Sequence, residues 1–467
     1  MSTNARRGKD LRGAKFLLRG PPPEVSDLPQ PTEPLDARRI LRLWWPLAAS
    51  WLLMGAELPL FTAFVARMPD PEPNLGAWGA LVFPIALAIE SPIIMLLAAS
   101  TALCADWPSY ARVRRFMLVA GALLTALHAL VAFTPLFDVL ARDIIGAPEA
   151  VIEPGRTGFQ LMLPWTWSIA YRRFQQGVLI RFEASGAVSV GTLIRLVANV
   201  SVLGLGWLWG GASGIAVGAC AVSAGVMAEA LFVGLRVQPI LRERLRPAPV
   251  GPELTGAAFA RFYLPLALTP LVTLIGQPIG AAAMSRMSEP LESLATWPAY
   301  HGIVFLTRSI GLAFNEVVVA LIVLPGAVLA LRRFAWRTAL ATSGVLALIA
   351  WTPLSHAWFV GWSHLSPELA RLGATSMAFA LALPALNALQ SYYQGALVRE
   401  RRTRAVTESV VLSLGLTTLG LWLAVTFTDW PGLAAAAAML SIGNLAQTFW
   451  LAWRARDSLE RLASAAR

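Results

Sequence analysis

Charged residues are scarce in this sequence. Only 14% of the 467 residues are Asp, Glu, Lys or Arg, and 56% are hydrophobic, whereas charge makes up about a quarter of a typical soluble domain. Several runs of little or no charge are long enough, at roughly 20 residues, to cross a ~30 Å hydrocarbon layer as a helix. The composition therefore excludes a soluble globular protein and predicts a membrane-spanning one.

Cysteine and histidine are also scarce. The two cysteines, Cys104 and Cys220, fit neither a metal-binding spacing nor a disulfide framework, and the four histidines are scattered along the chain. The glycine-rich run 204–214 lacks the Gly-Lys-Ser/Thr ending of a phosphate-binding loop. We therefore expect no metal, no cofactor, no catalytic residues and no ATPase module. An ion gradient or the solute's own gradient would then supply any energy.

The long apolar runs predict helices rather than barrel strands, because barrel strands alternate apolar and polar residues. Lipid offers no hydrogen bonds to the backbone, so each crossing segment must be a helix or belong to a closed barrel. The sequence predicts an all-α membrane protein with twelve spans. We place these at 41–66, 77–103, 116–135, 158–180, 186–208, 212–235, 258–284, 294–322, 336–354, 373–397, 405–427 and 431–453.

Arginines between the spans set the expected orientation. They cluster after the even-numbered spans, while the loops after the odd-numbered spans are mostly acidic. Because positively charged loops stay in the cytoplasm, we expect a multi-pass protein of the inner (plasma) membrane with both termini in the cytoplasm. This placement accounts for the net charge of +11 without nucleic-acid binding. The arginines concerned are Arg112, Arg114, Arg115, Arg181, Arg242, Arg244, Arg246, Arg332, Arg333, Arg399, Arg401, Arg402, Arg404, Arg454, Arg456 and Arg461.

The two halves of the sequence repeat. Arg42-Leu-Trp-Trp-Pro46 recurs as Arg261-Phe-Tyr-Leu-Pro265, at an offset of 261 − 42 = 219. The same offset joins Pro59 to Pro278, Arg67 to Arg286, Met68 to Met287 and Trp78 to Trp297; an offset of 218 joins Gln176-Gly177 to Gln394-Gly395. Six spans return the chain to its starting face. The repeat therefore predicts two parallel six-helix bundles related by a pseudo-two-fold axis normal to the membrane.

The repeat also divides the chain. We predict a first bundle at 41–236, a cytoplasmic linker at 237–257, a second bundle at 258–455 and a cytoplasmic tail at 456–467. Residues 1–40 form a polar basic arm that we expect to be disordered. The arm either touches anionic lipid headgroups or is a solvated tail that only fixes the orientation.

Three features resemble the multidrug/oligosaccharidyl-lipid/polysaccharide exporter superfamily, which includes the multidrug and toxin extrusion (MATE) transporters. They are the Pro-Leu start of spans 1 and 7, the loop 144–149 before span 4, and the Gln-Gly-x-Leu-x-Arg end of spans 4 and 10. The resemblance covers about residues 40–455. It implies an exporter-type transporter of two six-helix bundles.

Within that superfamily the chain looks most like a bacterial relative of the progressive ankylosis proteins. The stretches that carry this likeness are Trp44-Trp45-Pro46-Leu47, residues 124–133, and Gln277-Pro278-Ile279 followed by Ser285-Arg286. Animal members are associated with efflux of small polyanions such as pyrophosphate, nucleotide or citrate. That substrate does not transfer to this chain on the resemblance alone.

Ionisable residues inside predicted spans are costly, by at least ~2.5 kcal/mol on insertion scales, and usually face a cavity or a partner. Glu57 in span 1 and Glu90 in span 2 are candidates for coupling to a cation, since a buried carboxyl can exchange a proton near neutral pH. In the resembled family, acidic residues of span 1 can serve coupling. Glu57 could instead simply pair with an arginine near the outer end.

Arg308 in span 8 lies beside the repeat counterpart of Glu90, because 309 − 90 = 219. We expect Glu90 and Arg308 to pair across the two bundles, either as a gate or as a static contact. Glu316, two turns on, could share Arg308. Arg195 and Asn199 lie one turn apart on span 5 and could bind an anionic substrate.

Other polar residues inside the spans have simpler explanations. We expect Arg172 and Arg173 to extend towards the cytoplasmic headgroups, and His128, Glu229 and Glu408 to be packing or interface residues. Together the sequence predicts a secondary transporter, not an enzyme, that exports a small organic or anionic solute by alternating access. Coupling to protons or sodium ions and contact with membrane lipids are expected, and so is a monomer. A lipid-linked saccharide flippase is the alternative, followed by an integral membrane transferase.

Overall fold

The fold is described from a computed structural model, which describes residues 35–182, 184–251, 253–400 and 402–465. Over these ranges the chain is helical, with an isolated bridge between Ser288 and Pro431. The expected all-α architecture is confirmed. Most of the basic arm, residues 1–34, lies outside the described residues.

Eleven helices in the described part of the chain are long and apolar enough to cross a membrane. Numbered with the twelve predicted spans, they are helix 1 (Ala37–Val65), helix 2 (Pro71–Leu103), helix 3 (Trp107–Phe133), helix 5 (Gly186–Trp209), helix 6 (Gly214–Leu245), helix 7 (Gly256–Met284), helix 8 (Pro290–Leu321), helix 9 (Ala327–Trp351), helix 10 (Pro367–Arg399), helix 11 (Thr403–Phe427) and helix 12 (Gly432–Ser464). Their outward faces carry large apolar side chains such as Leu208 and Leu340, which are 73% and 78% exposed. Apolar surface of this kind suits a lipid environment.

Predicted span 4 is also helical, but it is not among these eleven. Helix 4 consists of Glu149–Leu161 and Leu163–Arg181, and it carries Arg172, Arg173, Gln175 and Gln176 within five residues. Arg172, Gln175 and Gln176 are all buried. A helix this polar needs neighbouring helices to screen it from lipid, so it marks the polar interior of the first half.

Several helices are longer than predicted. Helix 3 begins at Trp107 and helix 9 at Ala327, so the arginines assigned to the loops before them lie in the second and third turns of these helices, where their long side chains can still reach water. Helix 6 continues through Leu245 and helix 12 through Ala465. Among the described residues, the predicted linker 237–257 is therefore non-helical only at 246–251 and 253–255, and the predicted tail is helical through 465.

The internal repeat extends to irregularities of the backbone. Helix 1 is interrupted at Ala56 (φ −71°, ψ −17°) and helix 7 at Ile275 (φ −63°, ψ −19°), and 275 − 56 = 219. Left-handed backbone recurs in the same way at Asp70 and Glu289 and at Gly146 and His364. Non-glycine residues rarely adopt positive φ, so the two halves share conformation as well as sequence.

We call the end where helix 1 begins the terminal end and the end where helix 1 finishes the distal end. At the distal end helix 8 packs against helices 1 and 2 of the other half. A Cβ atom on Gly79 would lie 2.9 Å from Leu294 O, and one on Gly302 would lie 3.2 Å from Pro59. Glycine is required at Gly79, because a side chain there would separate the halves.

Helices 1 and 7 link the two halves at the terminal end. Trp44 Nε1 at the start of helix 1 donates to Ile310 O of the second half, 3.2 Å away. Tyr263 at the start of helix 7 donates to Pro92 O of the first half, 2.6 Å away. Each of these helices therefore begins against the opposite half and runs along the seam between the halves.

Candidate functional site

A cluster of charged side chains lies inside the first half. Helix 4 supplies Arg172 and Gln176, helix 5 supplies Arg195 and Asn199, and helix 6 supplies Glu229. Glu57 comes from helix 1, directly after the interruption at Ala56. Residues four apart on a helix share one face, so helices 4 and 5 each present two polar groups to the same interior.

Glu229 is the centre of this cluster. Its Oε2 lies 2.7 Å from Arg172 Nη1 and 3.8 Å from Arg195 Nε. Its Oε1 accepts a hydrogen bond of 2.9 Å from Gln176 Nε2. Glu229 is 0% and Arg172 3% exposed. A buried ion is tolerated when it is both paired and hydrogen-bonded, and Glu229 meets both conditions.

Arg195 extends the cluster to Glu57. Arg195 Nη2 lies 3.1 Å from Glu57 Oε2, and Asn199 Nδ2 donates to Glu57 Oε1 at 2.9 Å. Gly225 lets helix 6 approach helix 5, since a Cβ atom there would lie 2.9 Å from Arg195 O. The charges thus alternate in the order Glu57, Arg195, Glu229, Arg172.

Glu90 and Arg173 belong to the same interior without a direct ion pair. Glu90 is 3% exposed, and the charges of Arg172 and Arg173 act on it. Within the described residues, Glu90 Oε2 and Arg173 Nε are buried without a hydrogen-bond partner. Unsatisfied buried groups are rare in folded proteins and call for an explanation. With every group ionised, the three carboxylates (Glu57, Glu90, Glu229) balance the three guanidiniums (Arg172, Arg173, Arg195).

The second half contains a polar cavity of about 370 Å³ between helices 7, 8, 10, 11 and 12. Its polar lining includes Gln277, His301, Arg308, Asn387, Asn444 and Gln447. Arg308 Nη2 donates to Asn444 Oδ1 at 3.4 Å, which is a long hydrogen bond. The residues lining this cavity include no carboxylate. The positive charge of the Arg308 guanidinium is therefore not neutralised by the described residues that line the cavity.

The cavity occupies the repeat position of the charged cluster. Gly276 corresponds to Glu57 at an offset of 219, and Gln390, Ser413 and Gln447 correspond to Arg172, Arg195 and Glu229 at an offset of 218. All four second-half residues line the cavity. The first half fills this place with its own ions, while the second half has neutral residues and open space.

The expected pair between Glu90 and Arg308 is not formed. Glu90 lies within the first half, where the neighbouring charges are Arg172 and Arg173, and Arg308 faces the second-half cavity. Glu316 is exposed and makes no ion pair within the described residues. The structure brings Glu57, Arg195 and Asn199 together, and Glu57 pairs with Arg195 inside the first half rather than near the outer end; its role in coupling stays a prediction.

The expectation for Arg172 was wrong. It does not extend towards headgroups but pairs with Glu229 in the interior, and Glu229 is an ion-pair centre rather than a packing residue. The polarity of helix 4 was the available signal, because four neighbouring polar residues cannot all avoid lipid by snorkelling. His128 does act in packing, bonded at 2.8 Å to both Thr166 Oγ1 and Phe159 O. Glu408 pairs with Arg404 and Arg454.

Comparison with known proteins gives the fold. No family model matches the chain, and no curated protein matches its sequence. A MATE family transporter of the MOP superfamily in an inward-facing conformation superimposes with a TM-score of 0.71 and 15% identity, covering 90% of this chain and 99% of that one. The chain has the MATE transporter fold.

Two further solved structures agree with this fold. A MOP superfamily transporter from Pyrococcus furiosus, described as having a binding pocket of reversed polarity, gives a TM-score of 0.62 at 17% identity. An outward-facing MATE family transporter gives 0.60 at 17% identity. In both cases 91% of this chain and 96% of the other are covered. The resemblance is thus confirmed at the level of fold, and the closer likeness to the progressive ankylosis proteins stays a prediction.

Proposed function

We propose that this protein is a multi-pass secondary transporter that exports a small organic or anionic solute by alternating access. Structures with this fold are known in inward- and outward-facing conformations, which supports a rocking motion of the two halves. The superposition is better on the inward-facing one, with a TM-score of 0.71 against 0.60. We infer that the conformation described here has its solute site open towards the terminal end.

The second-half cavity is the proposed solute site, and Arg308 is the observation that carries this proposal. A guanidinium stays charged at any physiological pH and offers a planar fork of donors that fits carboxylate or phosphate. An unneutralised charge in a low-dielectric interior is costly. An anionic solute in the cavity would supply the missing negative charge, and the amides of Asn387 and Gln447 would complete its hydrogen bonds.

The first-half cluster is the proposed coupling site. Three carboxylates already balance three guanidiniums there, so a sodium ion would find no surplus negative charge. A proton can instead bind covalently to one carboxylate and free the opposing guanidinium, which then carries an unpaired positive charge. The candidate proton carriers are Glu57 and Glu90. Glu57 pairs with Arg195 from helix 1, which runs along the seam, and Glu90 has no ion pair within the described residues. We favour protons over sodium ions as the coupling ion, because arginine and amide donors already occupy the carboxylate oxygens of Glu57 and Glu229 that a sodium ion would need as ligands.

Orientation and assembly complete the proposal. We place the protein in the inner (plasma) membrane with both termini in the cytoplasm, since the arginines of helices 3, 9 and 12 lie towards the terminal end. Extended arginines at that end suit anionic headgroups. Each half contains a complete set of six helices, so a monomer is sufficient for transport.

The test is transport by purified protein in proteoliposomes, with labelled phosphates and carboxylates as solutes. The wild type should move at least one of them saturably, Arg308→Gln should lower kcat/KM by more than about tenfold, and Arg308→Lys should retain part of the rate. Arg112→Gln is the matched control, because Arg112 pairs with Glu253 on the surface. An unchanged rate in Arg308→Gln would refute the site. Translocation of a lipid-linked saccharide instead of these anions would favour the flippase.

A further inference from the structure

At the distal end each half extends an arginine into the other half. Arg67, at the end of helix 1, donates from Nη1 to Trp362 O at 2.8 Å and from Nη2 to Gly361 O at 3.0 Å. Arg286, at the end of helix 7, donates from Nη2 to Ile144 O at 2.7 Å and from Nη1 to Ile145 O. Arg286 Nη2 also donates a longer bond of 3.4 Å to Asp143 O, so five hydrogen bonds cross the seam at this end through two side chains.

The two arginines are repeat counterparts, and so are their acceptors. Arg67 and Arg286 are separated by 286 − 67 = 219, while their acceptors Asp143 and Ile144 are separated from Gly361 and Trp362 by 361 − 143 = 218 and 362 − 144 = 218. The arrangement is thus reciprocal, as a two-fold axis requires. Both halves therefore carry this arrangement, although only the first half carries the charged cluster.

The acceptors are carbonyls that a helix leaves free at its C-terminal end. They close the short helical turns Val139–Ile145 and Ala357–Trp362, which are followed by left-handed residues at Gly146 and His364. A cation at this position also interacts favourably with the helix dipole. Each guanidinium therefore caps a helix that belongs to the opposite half.

Each arginine is also anchored in its own half. Arg286 Nη1 donates to Ala282 O at 2.8 Å, four residues before it, and Arg67 Nη1 does the same to Ala63 O. Gly146 gives Arg286 its space, since a Cβ atom there would lie 3.1 Å from Arg286 Cζ. A side chain held at both ends transmits movement of one half to the other.

Carbonyl acceptors distinguish these arginines from their neighbours at the same end. Within the described residues, the ion pairs include neither Arg67 nor Arg286, whereas Arg142 pairs with Asp138 and Glu149 inside the first half. Both side chains border the exposed surface, so water can replace the carbonyls when the halves separate. Such contacts can hold a surface closed and still release it without stranding a buried charge.

We propose that Arg67 and Arg286 are a symmetric latch that closes the distal end and releases when the solute site turns to that end. The latch rests on the proposed alternating access. It works together with the tight packing of helix 8 against helices 1 and 2, and with the bond of 3.3 Å from Trp362 Nε1 to Pro59 O. In this role the two arginines position the halves and do not touch the solute.

The test is a distance measurement by electron paramagnetic resonance on full-length protein in detergent. Cys104 and Cys220 are first replaced by alanine, and spin labels are placed at Ala150 and Glu368, which are exposed repeat counterparts (368 − 150 = 218) at the distal ends of helices 4 and 10. The background protein should give mainly a short distance. Arg67→Gln/Arg286→Gln should shift most of the population to a longer distance, with each single change intermediate. Arg142→Gln, the matched control, should change nothing.

A second readout guards against a variant that merely misfolds. Ala295 is fully buried at the seam beside Gly76, so a thiol introduced by Ala295→Cys reacts with a maleimide only when the distal end opens. In the double latch variant this thiol should react about tenfold faster than in the background protein. The Tm of the double variant should equal that of the Arg142→Gln control. A distance distribution and a thiol reactivity equal to those of the background protein would overturn the latch, even if the protein transports. A wild-type protein that transports none of the tested solutes would refute the proposed function. The distance measurement and the thiol reactivity could still be interpreted in that case.

Discussion

The first-half cluster and the second-half cavity are two versions of one place in the fold. Four equivalent positions carry Glu57, Arg172, Arg195 and Glu229 in one half and Gly276, Gln390, Ser413 and Gln447 in the other. The charged set fills the interior with its own ion pairs. The neutral set leaves a cavity of about 370 Å³. The two halves thus share one backbone geometry but differ inside. The charges of the first half neutralise one another, while the second half has space for a ligand.

The energetic consequence differs between the two halves. Ion pairs buried in the first half are not replaceable one residue at a time, because a lost partner leaves a buried charge. Neutral amides in the second half carry no such penalty, and their removal mainly affects hydrogen bonds. Substitutions in the first-half cluster are therefore expected to affect mainly the stability of the protein, and substitutions in the second-half cavity to affect mainly solute binding.

The largest effect is expected from Glu229→Gln. This change leaves Arg172 buried without its carboxylate and should lower the free energy of unfolding by about 3–5 kcal/mol. Thermal unfolding of purified protein would measure it as a large drop in Tm. The matched control is Arg172→Gln/Glu229→Gln, which copies Gln390 and Gln447 of the other half. Because it removes both charges, it should cost less than the single change. A double variant less stable than Glu229→Gln would contradict the ion pair.

The reverse exchange should convert the cavity into a cluster. Gly276→Glu with Ser413→Arg places the equivalents of Glu57 and Arg195 on helices 7 and 11. A Cβ atom at Gly276 meets only the end of the Leu414 side chain, at 3.3 Å, so the larger residues can enter the open space. Solute transport should be lost with little change in Tm. Normal transport by a folded double variant would show that the cavity is not the site.

Coupling of transport to protons should depend on the Glu57 carboxylate and not on carboxylates elsewhere in the protein. Glu57→Gln removes the carboxylate that opposes Arg195 but leaves Arg195 near Glu229. We expect transport in vesicles to continue down the solute gradient and to lose its response to an imposed proton gradient. Glu408→Gln serves as the control, since Glu408 pairs with Arg404 and Arg454 away from the cluster. A proton-driven rate unchanged in Glu57→Gln would remove its coupling role.

The smallest effect is expected outside both sites, at the distal loop of the first half. A hydrogen bond from Arg156 lowers the pKa of Asp138 below its usual 3.8. A lowered pKa in the folded state stabilises the protein above pH 3.8, and this contribution disappears as the pH falls through the folded-state pKa. Asp138→Asn should therefore lower Tm slightly at pH 7 and match the wild type in strong acid. A Tm difference that grows on acidification would contradict this sign.

The sequence predicted the helices well because membrane insertion leaves a local signal. Each apolar run, such as the one that forms helix 2, must satisfy its backbone internally, so its position can be read without knowing its neighbours. The repeat at Arg67 and Arg286 was also visible, because identity at a fixed offset needs no structure. Helix ends were less predictable, since arginines at positions such as Arg332 can lie either in a loop or in the second turn of a helix.

The site was only partly predictable, because its contacts join distant parts of the chain. Nothing local in the sequence says that Glu57 faces Arg195 rather than another arginine. Repeat position predicted a pair between Glu90 and Arg308, but each of these residues faces the interior of its own half. The signal that was missed lies in the comparison of the two halves of the sequence. Aligning Arg172 with Gln390 and Glu229 with Gln447 shows that paired charges disappear together, which is expected of residues in contact.

The most direct test of the division between the halves is calorimetric titration of purified protein with the solute that the wild type transports. We predict one binding site that is retained in Arg172→Gln/Glu229→Gln and lost in Gly276→Glu/Ser413→Arg. Binding that is lost on neutralising the first half and retained after filling the second half would contradict the account.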